Sequence, residues 1–175
     1  MWNWLVSALA VDSAVVLYDG SPFHPDPERL VDLIDDERIS VFGTSPKYLA
    51  TLESNGVKPR QSHDLGSLKI LLCTGSALSP QSYDYVYRDF KRDLCLASMS
   101  GGTDVVSCFV NGNPLLPVRR GEIQGKSLGM AVEVWNDAGV AVIGQKGELV
   151  CTRHFPAMPI GFWNDATGGK LRASY

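Results

Sequence analysis

The sequence predicts an α/β fold in which a parallel sheet with flanking helices is followed by an antiparallel, β-rich section. Three observations carry that prediction. Through the first hundred residues short apolar runs alternate with amphipathic segments, the pattern of a parallel sheet with helical crossovers. Ser45-Pro46 and Ser79-Pro80 read as helix starts, serine as the cap and proline in the first turn. After Asp104 the apolar residues alternate singly and meet a turn at Asn136-Asp137-Ala138-Gly139, as in a hairpin. With 175 residues there is room for one ordinary domain, or one and a small appendage. A hydrophobic content of 45% with 20% charged residues excludes an intrinsically disordered chain.

From the N-terminus, Trp4 to Ala10 imitates a signal-peptide core ending in an A-x-A site. No basic residue precedes it, the first being Arg29, and Asp12 breaks the run well short of a membrane span. The expectation is a buried helix feeding a buried strand, Ala14 to Tyr18, in a cytoplasmic protein. Pro27 to Arg38 places Leu30, Leu33 and Ile34 on one helical face. The helix from Ser45 turns Tyr48, Leu49 and Leu52 inward and stops at Gly56; that from Ser79 buries Tyr83, Val86, Tyr87 and Phe90. Between them lie strands at 39–42, 69–73 and 95–99, apolar enough to be covered on both faces. Gly112, Pro114 and Pro117 interrupt any regular element, so the chain divides into an α/β subdomain, 1–111, and a β-rich one, 120–175.

A net charge of −3 without a basic block excludes the electrostatic footprint of a nucleic-acid binder, and nothing marks a membrane protein. Cys73, Cys95, Cys108 and Cys151 are scattered with no C-x-x-C spacing, which favours free thiols in a reducing compartment; a disulfide pair is the alternative.

Four loops directly after strands are rich in small and hydroxylated residues: 19–21, 43–45, 74–76 and 100–104. In an open parallel sheet such loops share one edge, where ligands bind, and hydroxyls with backbone N–H groups suit an anion such as phosphate. Good turn residues are the competing account of each loop. Gly121 to Ser127 imitates a phosphate-binding P-loop but has three residues between its glycines where four are needed. No G-x-S-x-G or H-E-x-x-H occurs, and His24, His63 and His154 read as surface residues. Ser100-Gly101-Gly102-Thr103-Asp104 is the strongest segment. Its glycines allow close backbone approach, Thr103 offers a hydroxyl, and Asp104 is either a single hard ligand for Mg²⁺ or a turn cap.

Lys69 to Leu78, a helix, and then Ser98 to Asp104 resemble the adenylate-forming acyl-CoA synthetase superfamily. Within it, Trp2-Asn3-Trp4-Leu5, Tyr18 to Pro22, Phe42 to Ser45, Tyr83 to Asp89, Gly121 to Gln124 and Gly161 to Asn164 are similar to the branch that ligates acetoacetate to CoA. The resemblance implies the large N-terminal domain of an adenylate-forming enzyme, with ATP, Mg²⁺ and CoA in the reaction. It implies that Thr74, Gly75, Ser76 and Ala77 pack around adenine. Ser100, Gly102 and Thr103 would contact the nucleotide, Thr103 at the α-phosphate, with Asp104 as the Mg²⁺ ligand and, with Thr103, part of the catalytic set. Ser100 replaces an aromatic that stacks on adenine, and Asp104 is one methylene shorter than the usual Glu. Acetyl-CoA synthetases carry Trp where this chain has Gly101, so the resemblance makes Gly101 a wall of a roomier acyl pocket. The family's triphosphate loop, ribose-binding Asp and catalytic Lys are not among these residues, so the expectation is an internal piece that is inactive alone. A ligase for another short acid, or a non-catalytic nucleotide-binding paralogue, is the alternative.

Overall fold

The computed structural model describes residues 2–174, with side chains from residue 6 onward. Its centre is a parallel sheet of β1 (Val41–Thr44), β2 (Ile70–Cys73) and β3 (Cys95–Ser98) in that order, with Phe42 opposite Leu71 and Leu71 opposite Leu96. One face is fully covered, with Phe42, Leu71, Cys73 and Leu96 buried, whereas on the other Ala97 is buried, Ile70 and Leu72 are half-buried and Val41 is exposed, so the expected cover on both faces is complete only toward β3. α2 (Arg29–Asp36) packs Val31 and Ile34 into the same core; Val31 takes a fully buried place that the expected Leu30–Leu33–Ile34 face did not include.

The helix starts follow local chemistry. α3 (Pro46–Ser54) and α5 (Pro80–Tyr85) begin as the Ser-Pro pairs predict: Ser45 Oγ accepts from the Tyr48 N–H at 3.3 Å and Ser79 Oγ from the Ser82 N–H at 3.2 Å. The short α4 (Pro59–Ser62) completes the first crossover. α5 runs into a π-turn over Val86–Phe90, in which Lys91 N–H donates five residues back to the Val86 carbonyl at 2.9 Å. The wider turn drives Lys91 inward. The residue is 8% exposed, and its ammonium donates to the carbonyls of Leu65 at 2.6 Å and Leu68 at 2.5 Å.

The second section is antiparallel, as expected. β4 (Ser100–Gly102), β5 (Ser107–Asn111) and β6 (Gly125–Lys126) form one sheet in that order, so β5 and β6 pair across the interruption at 112–119. β7 (Val132–Trp135) and β8 (Glu148–Cys151) form a separate ladder; the Asn136 side chain accepts from the Ala138 and Val140 N–H groups and closes the turn after β7. Lys126 in β6 confirms that the Gly121–Ser127 segment is no P-loop, because it leads through strand rather than into a helix. α6 (Gly169–Ser174) ends the described chain.

The N-terminal expectation is corrected. α1 (Trp2–Ala10) exists, but Val6 and Leu9 are exposed rather than buried; the expected burial of the Trp4 side chain lies outside the described residues. Ala14 to Tyr18 makes no ladder among the described residues, and Leu17 is 76% exposed. Apolar content shows that a segment could be covered on both faces, but a strand also needs a neighbouring edge for its N–H and C=O groups.

Two outcomes test this packing. Lys91→Met removes the donor from two carbonyls that are shut off from water, and should lower unfolding free energy by about 1.5–3 kcal/mol. Urea titration checks it; a loss under about 0.5 kcal/mol, the scatter of ordinary surface substitutions, would mean that water replaces the ammonium. Alkali should also unfold the protein. Burial pushes the Cys73 thiol from its ordinary 9.0 up to about 12, and burial first, then the nearby Asp32 carboxylate, raises the Tyr48 phenol as well. The unfolded chain releases these protons before the folded chain does, so stability is full below about pH 9 and falls as pH rises toward 12. Melting temperatures between pH 8 and 11 read this directly, and a flat profile would contradict it.

Candidate active site

The functional question is what the carboxyl ends of the parallel strands present. The β2–β3 ladder continues past the strands: Met99 N–H donates to the Cys73 carbonyl at 2.9 Å, and Thr74 Oγ1 donates to the Met99 carbonyl at 3.2 Å. These bonds hold the loop after β2 against the loop after β3. Gly75 then turns the chain outward at φ +101°, a conformation that favours glycine, with open space where a Cβ would stand.

Between the loops lies a cleft of about 590 Å³. Thr74, Gly75, Ser76 and Ala77 form one wall, and Ser98 to Thr103 the other; Ser107 and Cys108 of β5 close the back, and Ile123 reaches in from the segment before β6. Its lining carries hydroxyls and glycines but no charged side chain. Burial raises the Cys108 thiol above its ordinary range, so it stands in the cleft as a neutral group.

Of the residues singled out from sequence, Thr74 to Ala77 and Ser100 to Thr103 meet here. Asp104 does not line the cleft; it follows Thr103 at the rim, exposed, in the 103–106 turn between β4 and β5. That turn is anchored by buried Val105 and passes through Val106 at φ +47°, a strained setting for a β-branched residue that no sequence signal announced. Among the described residues no group of three His, Cys, Asp or Glu could hold a metal ion. An exposed carboxylate next to a threonine hydroxyl in the chain is the donor type that suits Mg²⁺, which keeps waters and takes its other ligands from phosphates.

Two of the four predicted loops are elsewhere. Ser45 is engaged in capping α3, and Thr44 contributes only its carbonyl, which accepts from Thr74 N–H at 3.2 Å. Residues 19–21 follow no strand, so no sheet edge carries them to the cleft. Gly101 lines the cleft, yet its expected role as an open pocket wall meets an obstacle. A Cβ there would run into the Ser107 carbonyl oxygen and stand 2.6 Å from the Cys108 Cα, so a side chain would meet β5 backbone rather than the cavity. The ladder shifts register between Ser100 and Gly101, and this close approach is why glycine is needed.

His63 corrects another expectation: its side chain is only 11% exposed, with Nε2 2.9 Å from Asp32 Oδ1 and Nδ1 2.8 Å from Ser62 Oγ, tying α4 to α2 away from the cleft. All four cysteines are free. No described helix is long and apolar enough to cross a membrane.

The chain is 59% identical over its whole length to the acetoacetyl-coenzyme A synthetase of Rhizobium meliloti (strain 1021) and 54% identical to the acetoacetyl-CoA synthetase of Gallus gallus. It spans 27% and 26% of those proteins, about a quarter of their length. Its fold superposes on the acetoacetyl-CoA synthetase from Streptomyces lividans with a TM-score of 0.91 at 40% identity, over 99% of this chain and 27% of that one. A structure of the anthranilate CoA ligase AuaEII in complex with anthranoyl-AMP matches at TM-score 0.73 and 17% identity, over 91% of this chain and 29% of that one, a likeness of fold alone. The family model for AMP-binding enzymes matches residues 1–158. A parallel sheet whose loops open one uncharged, hydroxyl-lined cleft, and a family match over most of the sequence, lead to one conclusion: the chain belongs to the AMP-binding enzyme family.

Proposed function

We propose that this chain forms the central part of a ligase that joins acetoacetate to CoA through an acyl-adenylate. The observation that carries the reading is the meeting of Thr74–Ala77 and Ser100–Thr103 in one cleft. Kinship to acetoacetyl-CoA synthetases supports the choice of acid.

In this reading a carboxylate oxygen of acetoacetate attacks the α-phosphorus of ATP. The new O–P bond forms as the bond to the bridging oxygen breaks, and pyrophosphate leaves with that electron pair. The CoA thiol then loses its proton, its sulfur bonds to the acyl carbon, and AMP departs with the C–O pair. Thr74 to Ala77 are small enough for the backbone to lie against a flat base, and Gly75 lets the loop turn away without a side chain. Ser100 and Gly102 would meet the nucleotide from the facing wall. Thr103 donates its hydroxyl to a non-bridging α-phosphate oxygen, whose charge grows in transfer. Asp104, at the rim, would hold Mg²⁺ together with the phosphates. The ion supplies charge stabilisation for the departing pyrophosphate. Gly101 serves by letting β4 close on β5, which keeps Ser107 and Cys108 at the back of the cleft.

The test is a chimera in which these 175 residues replace the matching segment of the Rhizobium meliloti relative. It should catalyse acetoacetate-dependent ATP–pyrophosphate exchange, and exchange driven equally by any short acid would overturn the substrate assignment. Asp104→Ala should cut exchange by about 10²- to 10³-fold while AMP binding holds. Exchange left intact would return Asp104 to a turn cap. Gly101→Ala should lower kcat/KM for acetoacetate and acetate together and destabilise the fold by about 1–3 kcal/mol, because the added methyl displaces β5. Loss for acetoacetate alone, with an unchanged melt, would instead put the side chain in the acyl pocket.

A further inference from the structure

Four consecutive residues before β6 behave in a way the cleft alone does not explain. Arg120, Gly121 and Glu122 each meet α5, and the next residue, Ile123, enters the cleft. Arg120 makes two parallel bonds to Asp84, Nε to Oδ1 and Nη2 to Oδ2, both 2.8 Å. Gly121 lies over Pro80: its φ is +79°, and a Cβ would stand 3.2 Å from the proline Cγ. Tyr83 Oη donates to the Glu122 carbonyl at 2.7 Å. Beyond Ile123, the Gln124 amide donates to the carbonyls of Asn113 and Leu116, both at 2.9 Å, so the segment is held from its own side as well.

The other end of α5 matters equally. The helix begins at Pro80, three residues after Ala77, the last residue of the opposite cleft wall. One short helix therefore carries one wall at its start and, along its length, clamps the segment that brings Ile123 into the cleft. The Arg120–Asp84 pair is exposed, at 56% and 48%, so its contribution to global stability is small. A planar two-bond fork is nonetheless a directional constraint, and that is what a wall held at a fixed distance requires. The guanidinium, through its hydrogen bonds, holds the Asp84 carboxyl below its ordinary range, as a formed pair should.

We propose that Asp84, Arg120 and Tyr83 are positioning residues, forming a brace that fixes Ile123 against the Thr74–Ala77 wall and so sets how tightly the cleft holds the adenylate. The kinetic half of this proposal rests on the ligase reading above; the geometric half does not. Loosening a wall that substrate and transition state touch alike removes uniform binding, which raises KM and leaves kcat in place.

The experiment uses the chimeric full-length ligase with Asp84→Ala, Arg120→Ala, and the reversed pair Asp84→Arg with Arg120→Asp. Cys108 at the back of the cleft reports its width, read as residue-resolved alkylation by iodoacetamide, with buried Cys73 as the internal control. Each single substitution should speed Cys108 alkylation and raise KM for ATP and acetoacetate by about two- to fivefold, the span an exposed ion pair supplies. In the same variants kcat, KM for CoA, Cys73 labelling and the melting temperature should hold, and the reversed pair should recover most of the loss. Unchanged Cys108 labelling in both single variants overturns the brace. Faster labelling with unchanged KM overturns its link to binding, and a lowered melting temperature with uniform loss of kcat would make the pair merely structural. A parent chimera without exchange overturns the ligase reading, and the brace is then decided by Cys108 labelling alone.

Discussion

The site depends on one constraint, the parallel pairing of β2 with β3 carried past the ends of both strands. Cys73 and Ser98 are the last paired residues, and the bond from Met99 N–H to the Cys73 carbonyl extends the register one step further. Thr74 then turns its hydroxyl onto the Met99 carbonyl and locks the two departing loops together. In a parallel sheet every strand delivers its carboxyl end to the same edge, so two loops 25 residues apart in sequence become facing walls. The core beneath makes that edge rigid. Leu71, Leu96, Val86 and Phe90 are buried, and the Lys91 ammonium pins the 65–68 segment that leads into β2.

A second constraint closes the cleft from behind. β4 leaves β3 after Met99 and turns back through 103–106 to pair antiparallel with β5. At Gly101 the backbones come closer than any side chain permits, and at the end of the following turn the chain accepts an unfavourable φ at Val106. The segment offering hydroxyls to the cleft is therefore shaped by close packing on one side and by strain on the other. At Gly101 glycine is needed because backbone meets backbone, whereas a Cβ at Gly102 would meet the Asp104 side chain.

Much of this was legible in the residues. The Ser-Pro pairs marked the starts of α3 and α5 because capping is local chemistry, and the alternation over Met130 to Trp135 and Gly147 to Thr152 marked antiparallel strands, because side-chain direction along a strand has period two. Residues 74–76 and 100–104 stood out as small, hydroxylated loops after apolar strands, a signal that ordinary turns share, as 19–21 and 43–45 show by not lining the cleft. What stayed hidden depended on contacts between distant segments. His63 looked like a surface residue and proved to join α4 to α2, while nothing in the sequence singled out Lys91, which is buried under carbonyls. Residues 14–18 looked like a strand, and their apolar run could not reveal that no partner pairs with them among the described residues.

By itself, then, the sequence determined the change from a parallel α/β section to an antiparallel one, the helix starts at the Ser-Pro pairs, the small and hydroxylated character of the candidate loops and, through its motifs, the family. These are properties of short windows, governed by periodicity, capping and side-chain chemistry. Tertiary structure decided which loops share a cleft, that Asp104 stands at its rim rather than in its wall, that Gly101 answers to β5, and that α5 holds Ile123 in place. Those facts arise from register and from distances between residues far apart in the chain. A window of sequence contains no term for either, because both exist only once the backbone has closed on itself.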